Sequence, residues 1–165
     1  MKKRYSLVVA AVILCFQTMS MAGKLVNENC INEGTKPMVL IAMQNGQFKD
    51  SVITVVKSAL EGYSYCVKII PLGDLPKEVM ENYKAAVIVS TCRFGSSSSD
   101  ATKFVKNLSP KDKKKVLLFT TSGSDSWKPK NLDVDCVTSA SKLSKALSVA
   151  DSVVAKTHAI ISGTK

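Results

Sequence analysis

Residues 38–62 read MVLIAMQNGQFKDSVITVVKSALEG, and the change of period within this stretch decides the fold. Met38 to Met43 is wholly apolar and is broken at once by Asn45-Gly46, which reads as a strand buried on both faces and closed by a turn. From Val52 the spacing changes. Val52, Val55, Val56, Ala59 and Leu60 recur at helical intervals, with Asp50 or Ser51 as the expected cap and Gly62 just past the expected end. Strand, turn and helix in this order open a βαβ unit, and such units are built on parallel strands.

The same alternation continues outward. Cys66 to Pro71 (CVKIIP) is a second strand, and Pro76 fits the first turn of a short helix running through Tyr83, with Leu75, Val79 and Met80 inward. Ala85 to Ser90 (AAVIVS) is a third buried strand, followed by a Gly/Ser-rich loop from Arg93 to Ser99. Asp100 then caps a helix that carries Ala101, Phe104, Val105 and Leu108 on one side. Lys115 to Thr120 (KVLLFT) is a fourth strand and Val134 to Ser139 a fifth. Ser141 to Ile161 reads as the final helix, facing inward through Leu143, Leu147, Ala150, Val154 and Ile161 and ended by Gly163. The connection from Thr121 to Asp133 has room only for a stunted helix. The class is α/β, with a five-stranded parallel sheet flanked by helices on both faces. There is no internal repeat and no low-complexity linker.

In an open parallel sheet, ligands bind beyond the C-terminal strand ends, where the strand order switches. Three loops are expected to meet there: Gln44 to Lys49, Thr91 to Ser99 and Thr121 to Lys130. Thr91-Cys92-Arg93-Phe94-Gly95, followed by serines and Lys103-Phe104-Val105, resembles the third-strand loop of the flavodoxin-like superfamily. Its Arg-aromatic-Gly form is most like that of flavodoxin-like oxidases of the menaquinone-dependent protoporphyrinogen oxidase type. Thr120-Thr121-Ser122-Gly123 resembles the loop after the fourth strand. The resemblance runs over residues 37–161 and implies a flavodoxin-like domain with strand order 2-1-3-4-5. It also implies a crevice formed by Asn45, Gly46, Gln47, Thr91, Arg93, Phe94, Gly95, Ser122, Gly123 and Trp127, with FMN as the cofactor to weigh and Phe94 and Trp127 around its ring.

The chain departs from that pattern in the first loop. Flavodoxins hold the FMN phosphate with Ser/Thr hydroxyls and backbone N–H groups at a helix N-terminus. Here Gln44, Asn45, Gly46 and Gln47 supply amides and a turn, and no hydroxyl appears before Ser51. Reduced phosphate affinity, or a different ligand, is expected.

Residues 1–22 show the three zones of a secretory signal: Lys2, Lys3 and Arg4, then an apolar run from Leu7 to Phe16, then Ser20-Met21-Ala22 before Gly23. The apolar run is shorter than the roughly 20 residues a bilayer span needs. The expectation is an exported protein, periplasmic or secreted, with an arm over 23–36, the domain over 37–165, and no integral membrane segment once the signal is cleaved. Lipidation at Cys15 is disfavoured by Leu14 before it. A chain exported unfolded must also find any non-covalent FMN outside the cytoplasm.

The full chain carries 23 basic and 13 acidic residues, a net charge of +10. Without the three basic residues of the signal the balance is +7. The lysines are spread along the chain without interleaved aromatics, which argues against nucleic acid and for a solvated surface. The one tight basic run, Lys111 and Lys113 to Lys115, is expected in a loop between helix and strand.

Four cysteines remain after the signal: Cys30, Cys66, Cys92 and Cys136. Cys30 precedes the first strand and Cys66 begins the second, so Cys30–Cys66 is the favoured disulfide in an oxidising compartment. A strand is expected to separate Cys92 from Cys136. Cys92 is either a thiol beside the crevice or a small buried residue. His158, the sole histidine, is expected to be structural or at the surface. No histidine-based metal site, Walker loop or catalytic triad has support in the sequence. Two functions follow: a binding module that has lost standard FMN binding, with a small ligand or an envelope protein as partner, or an exported FMN-binding redox protein.

Overall fold

The structure, a computed structural model, describes residues 36–164. The signal expected over 1–22, almost all of the arm expected over 23–36, and Cys30 lie outside the described residues.

Five strands form one sheet: β1 (Met38–Met43), β2 (Cys66–Pro71), β3 (Ala85–Thr91), β4 (Val116–Ser122) and β5 (Asp135–Ala140). Their order is β2-β1-β3-β4-β5, and every pair is parallel. The apolar runs of β1, β3 and β4 are buried on both faces because both faces are covered. Helix α1 (Gln47–Gly62) and the C-terminal helix cover one face, where Val39, Ile41, Val87 and Phe119 meet Val52, Val56, Val149 and Val153. Phe48 of α1 packs edge-on against Phe119, ring centroids 6.4 Å apart. On the other face, Leu40, Ala42, Ile88 and Leu118 meet Leu75, Met80 and Tyr83 of the β2–β3 connection, with Ala101 and Val105 of α2 (Ser99–Asn107).

Several boundaries differ from expectation. Helix α1 begins three residues before Asp50, with Gly46 at its N-cap, and Gly62 is its last residue. The segment from Pro76 to Tyr83 forms no α-helix. Two 3-10 turns, Leu72–Lys77 and Met80–Asn82, carry it instead. Leu75 and Met80 point inward as expected, but Val79 sits in the extended link between the turns and is 55 % exposed. There is a polar strut here. Lys68 Nζ reaches both carboxylate oxygens of Glu78, at 2.9 and 3.0 Å, and the Tyr83 hydroxyl donates to the same carboxylate.

Asp100 lies in the first turn of α2, whose cap position is Ser98. The basic run is partly a one-turn helix, α3 (Pro110–Lys113), capped by the Ser109 hydroxyl accepting from Asp112 N–H. The C-terminal helix α4 (Ala146–Ser162) follows a 3-10 turn over Leu143–Lys145. That tighter turn rotates the helix relative to a continuous one. Val149, Ala150, Val153 and Thr157 face the sheet, while Leu143 and Leu147, expected inward, are exposed. The link from Gly123 to Val134 contains no helix, and Leu132 covers the sheet there.

His158 is structural. Its Nδ1 lies 2.6 Å from the Tyr65 hydroxyl and its ring stacks on Tyr63 at 4.8 Å, tying α4 to the segment just before β2. Among the described residues, no helix is long and apolar enough to cross a membrane, and no group of His, Cys, Asp or Glu could hold a metal ion.

Candidate functional site

The strand order reverses between β1 and β3: β2 lies on one side, β4 and β5 on the other. The upper ends of the three inner strands are in register, with Met43 opposite Val89 and Thr91 opposite Thr121. The loops after β1, β3 and β4 therefore meet at one switch point.

The first loop folds back onto its own helix. Gly46 N–H faces both oxygens of Asp50 at 3.3 Å each. Lys49, on the next position back, folds over the glycine, its Cε only 3.0 Å from where a Cβ on Gly46 would lie. Its Nζ then donates to Thr91 Oγ1 at the end of β3, 2.9 Å away. Lys49 is only 7 % exposed. Burial pushes its ammonium below the ordinary 10.5; Asp50 opposes that and Arg93 adds to it. Phe48 is buried against Phe119.

The upper ends of β3 and β4 carry buried hydroxyls. Thr121 Oγ1 lies 3.4 Å from both Thr91 Oγ1 and the Ser90 carbonyl, and Ser90 Oγ lies 3.2 Å from Thr120 Oγ1. Thr91 and Thr121 share the face of α1 and Lys49, while Ser90 and Thr120 share the opposite face of the sheet.

The third loop is a tight hairpin. Arg93 and Ser96 exchange both backbone hydrogen bonds, at 2.9 and 3.0 Å. The two residues at its tip are left-handed, Phe94 at φ 49° and Gly95 at φ 77°, the pattern of a type I′ turn. Gly95 suits that conformation, whereas Phe94 is strained by it. The Phe94 ring is fully exposed. Trp127 bridges from the β4–β5 loop, its Nε1 donating to the Gly95 carbonyl at 3.3 Å. Ser122 binds Ser124 N–H at 3.1 Å, and Gly123 stands in open space between them. Asp125 anchors this loop by accepting from Ala140 N–H at 2.7 Å and from Lys145 Nζ.

The structure thus brings the expected loops together, with Asn45, Gly46 and Gln47 at one end and Arg93, Phe94, Gly95, Ser122 and Trp127 at the other. It leaves Phe94 outside any ring sandwich with Trp127. Sequence reasoning missed Lys49, Asp50 and Thr121. The signal for Lys49 was present: positions 49, 52, 53, 56 and 60 share the buried face of α1, so a charged residue occupies an apolar stripe. Cys92, just past the end of β3, whose N–H donates to the Thr121 carbonyl at 2.7 Å, and Cys136 of β5 are free thiols with β4 between the two strands.

No protein-family model matches the chain, and no curated protein matches it. Solved structures do. A flavodoxin from the domain Archaea superposes with a TM-score of 0.52 at 8 % identity, over 74 % of this chain and 98 % of the other. Flavodoxin 2 from Bacillus cereus gives 0.51 at 12 % identity, over 73 % and 97 %. The Flv1 flavodiiron core from Synechocystis sp. PCC6803 gives 0.53 at 11 % identity, over 80 % of this chain and 38 % of the other. The chain has the flavodoxin-like fold.

Within this flavodoxin-like frame, the crevice lies where the fold places ligands, while the first loop is filled by the chain's own Lys49 and Asp50. What the frame holds must be argued from those side chains and not from the fold.

Proposed function

We propose that this chain is an exported flavodoxin-like binding module whose crevice has lost the standard FMN phosphate cradle and takes another small ligand or an envelope protein. The observation that carries this reading is the self-filled first loop. A phosphate dianion at a helix N-terminus needs free N–H donors. Gly46 N–H already faces the Asp50 carboxylate, the Lys49 stem crosses the glycine, and the loop offers no hydroxyl before Ser51. A carboxylate at that point also repels the dianion. The three-zone N-terminus supports export, and the spread of lysines without interleaved aromatics argues against nucleic acid. Cys66 is not among the free thiols, in keeping with a Cys30–Cys66 staple of the arm to β2.

A second reading, an FMN-binding redox protein, is favoured by one observation: Trp127 and the Phe94-bearing hairpin are joined through the Gly95 carbonyl, so two aromatic loops flank the crevice. Titration with FMN separates the two readings. The binding-module reading expects no quenching of flavin fluorescence and no visible absorbance shift at micromolar flavin. Saturable quenching at that concentration overturns it.

A further inference from the structure

Two cations at this end of the sheet, Lys49 and Arg93, form no ion pair among the described residues. Lys49 is more than nine-tenths buried, yet among the described residues its ammonium makes no ion pair and has one hydrogen-bond partner, Thr91 Oγ1. An ammonium has three N–H donors, so two are left over. The guanidinium of Arg93, on the adjoining hairpin, makes no ion pair or hydrogen bond to another described residue, and its charge bears directly on Lys49. Asp50 is the carboxylate whose charge acts on Lys49, but its oxygens face Gly46 N–H.

Burial disfavours the Lys49 ammonium and the Arg93 charge adds to that, while Asp50 offsets part of it. An anion beside the Lys49 ammonium would offset what burial and Arg93 cost it. Thr91 adds a hydroxyl at the same point, and Thr121 Oγ1, 3.4 Å from it, adds another. We propose that Lys49 and Arg93, with the Thr91 hydroxyl, form a subsite for one compact oxyanion, the carboxylate or phosphate group of the crevice ligand. The subsite lies toward the end of β3 and not over the N-terminus of α1, where the Asp50 carboxylate faces Gly46 N–H. This inference rests on the reading of the crevice as a binding site and deepens it by naming the ligand's charged group. Trp127 stands beside it: its indole N–H holds the Gly95 carbonyl, two residues from Arg93, and it is the chain's sole tryptophan.

The test uses the full chain, with inorganic phosphate and acetate as separate probes and chloride at matched ionic strength as the control. Thermal unfolding and Trp127 emission are both read. At least one oxyanion is expected to raise the unfolding temperature and shift the emission saturably beyond chloride, since a ligand of the folded state stabilises it by mass action. Lys49→Met, which keeps the stem over Gly46, should weaken that response at least tenfold, and Arg93→Gln, at an exposed position, several-fold. The proposal is overturned if neither oxyanion exceeds chloride, or if both variants respond as the wild type does. If Lys49→Met does not fold, Arg93→Gln alone decides in the same two ways. The FMN titration is scored apart: FMN binding with an oxyanion response lost in the variants overturns the FMN-loss reading and upholds the subsite.

Discussion

The ammonium of Lys49 donates to the hydroxyl of Thr91 across 2.9 Å, joining the first turn of α1 to the last residue of β3. This contact brings a charge into a nearly closed site, and burial disfavours that charge. Lys49→Met is therefore expected to stabilise the fold by about 1 kcal/mol at neutral pH, as replacing buried charges by apolar groups often does. The pH dependence has a definite sign. With the folded value of Lys49 lowered, the unfolded chain binds the proton more tightly in the window between that value and 10.5. Wild-type stability rises with pH across that window, and the gap to Lys49→Met narrows. Chemical denaturation of both proteins at several alkaline pH values measures it. A gap that widens with pH would count against the assignment.

Phe94 holds a left-handed conformation while burying nothing. Phe94→Gly is expected to raise stability by about 0.5–1 kcal/mol, because glycine adopts this conformation without the Cβ clash. If the ring faces the ligand, the same variant should lose affinity, so strain and binding would separate in one protein. Trp127→Phe removes the bond to Gly95. Amide exchange at Arg93 and Ser96 should quicken while the core strands keep their protection.

For Glu78, burial alone would raise the carboxyl, but the bonds from Tyr83 and Lys68 outweigh it and hold the group below its ordinary 4.5. The stabilisation this carries is complete above the unfolded value and is lost as pH falls through the folded one. Glu78→Gln should cost about 1–2 kcal/mol at pH 7, since the charge-assisted bonds are weakened. The cost should shrink on acidification below about pH 4.5. Urea midpoints at pH 7 and pH 3 check both parts.

A Cys30–Cys66 bridge would close a loop of roughly 37 residues, worth about 3–4 kcal/mol by loop entropy. Mass mapping of the unreduced protein should recover the linked peptide, and reduction should lower the unfolding temperature. Both thiols found free would discard the bridge.

Much of the fold was legible because its cause is local. The apolar runs MVLIAM and AAVIVS, and the helical spacing that follows the first, mark β1, β3 and α1 without reference to any distant residue. The three crevice loops follow from the parallel order. The helix expected after Pro76 was wrong because tertiary packing of Leu75 and Met80 is met by two 3-10 turns, which leave Val79 outside. Leu143 and Leu147 fit a helical stripe in sequence, yet the 3-10 start of α4 rotates them to solvent.

By itself, then, the sequence determined the five strands and the helices after the first and third of them, since apolar period is a property of neighbours along the chain. Tertiary structure alone decided what fills the crevice. Lys49 and Thr91 are 42 residues apart, and Trp127 and Gly95 are 32 apart. No local pattern records such a meeting, because it exists only once parallel strands have carried their ends to the same edge of the sheet.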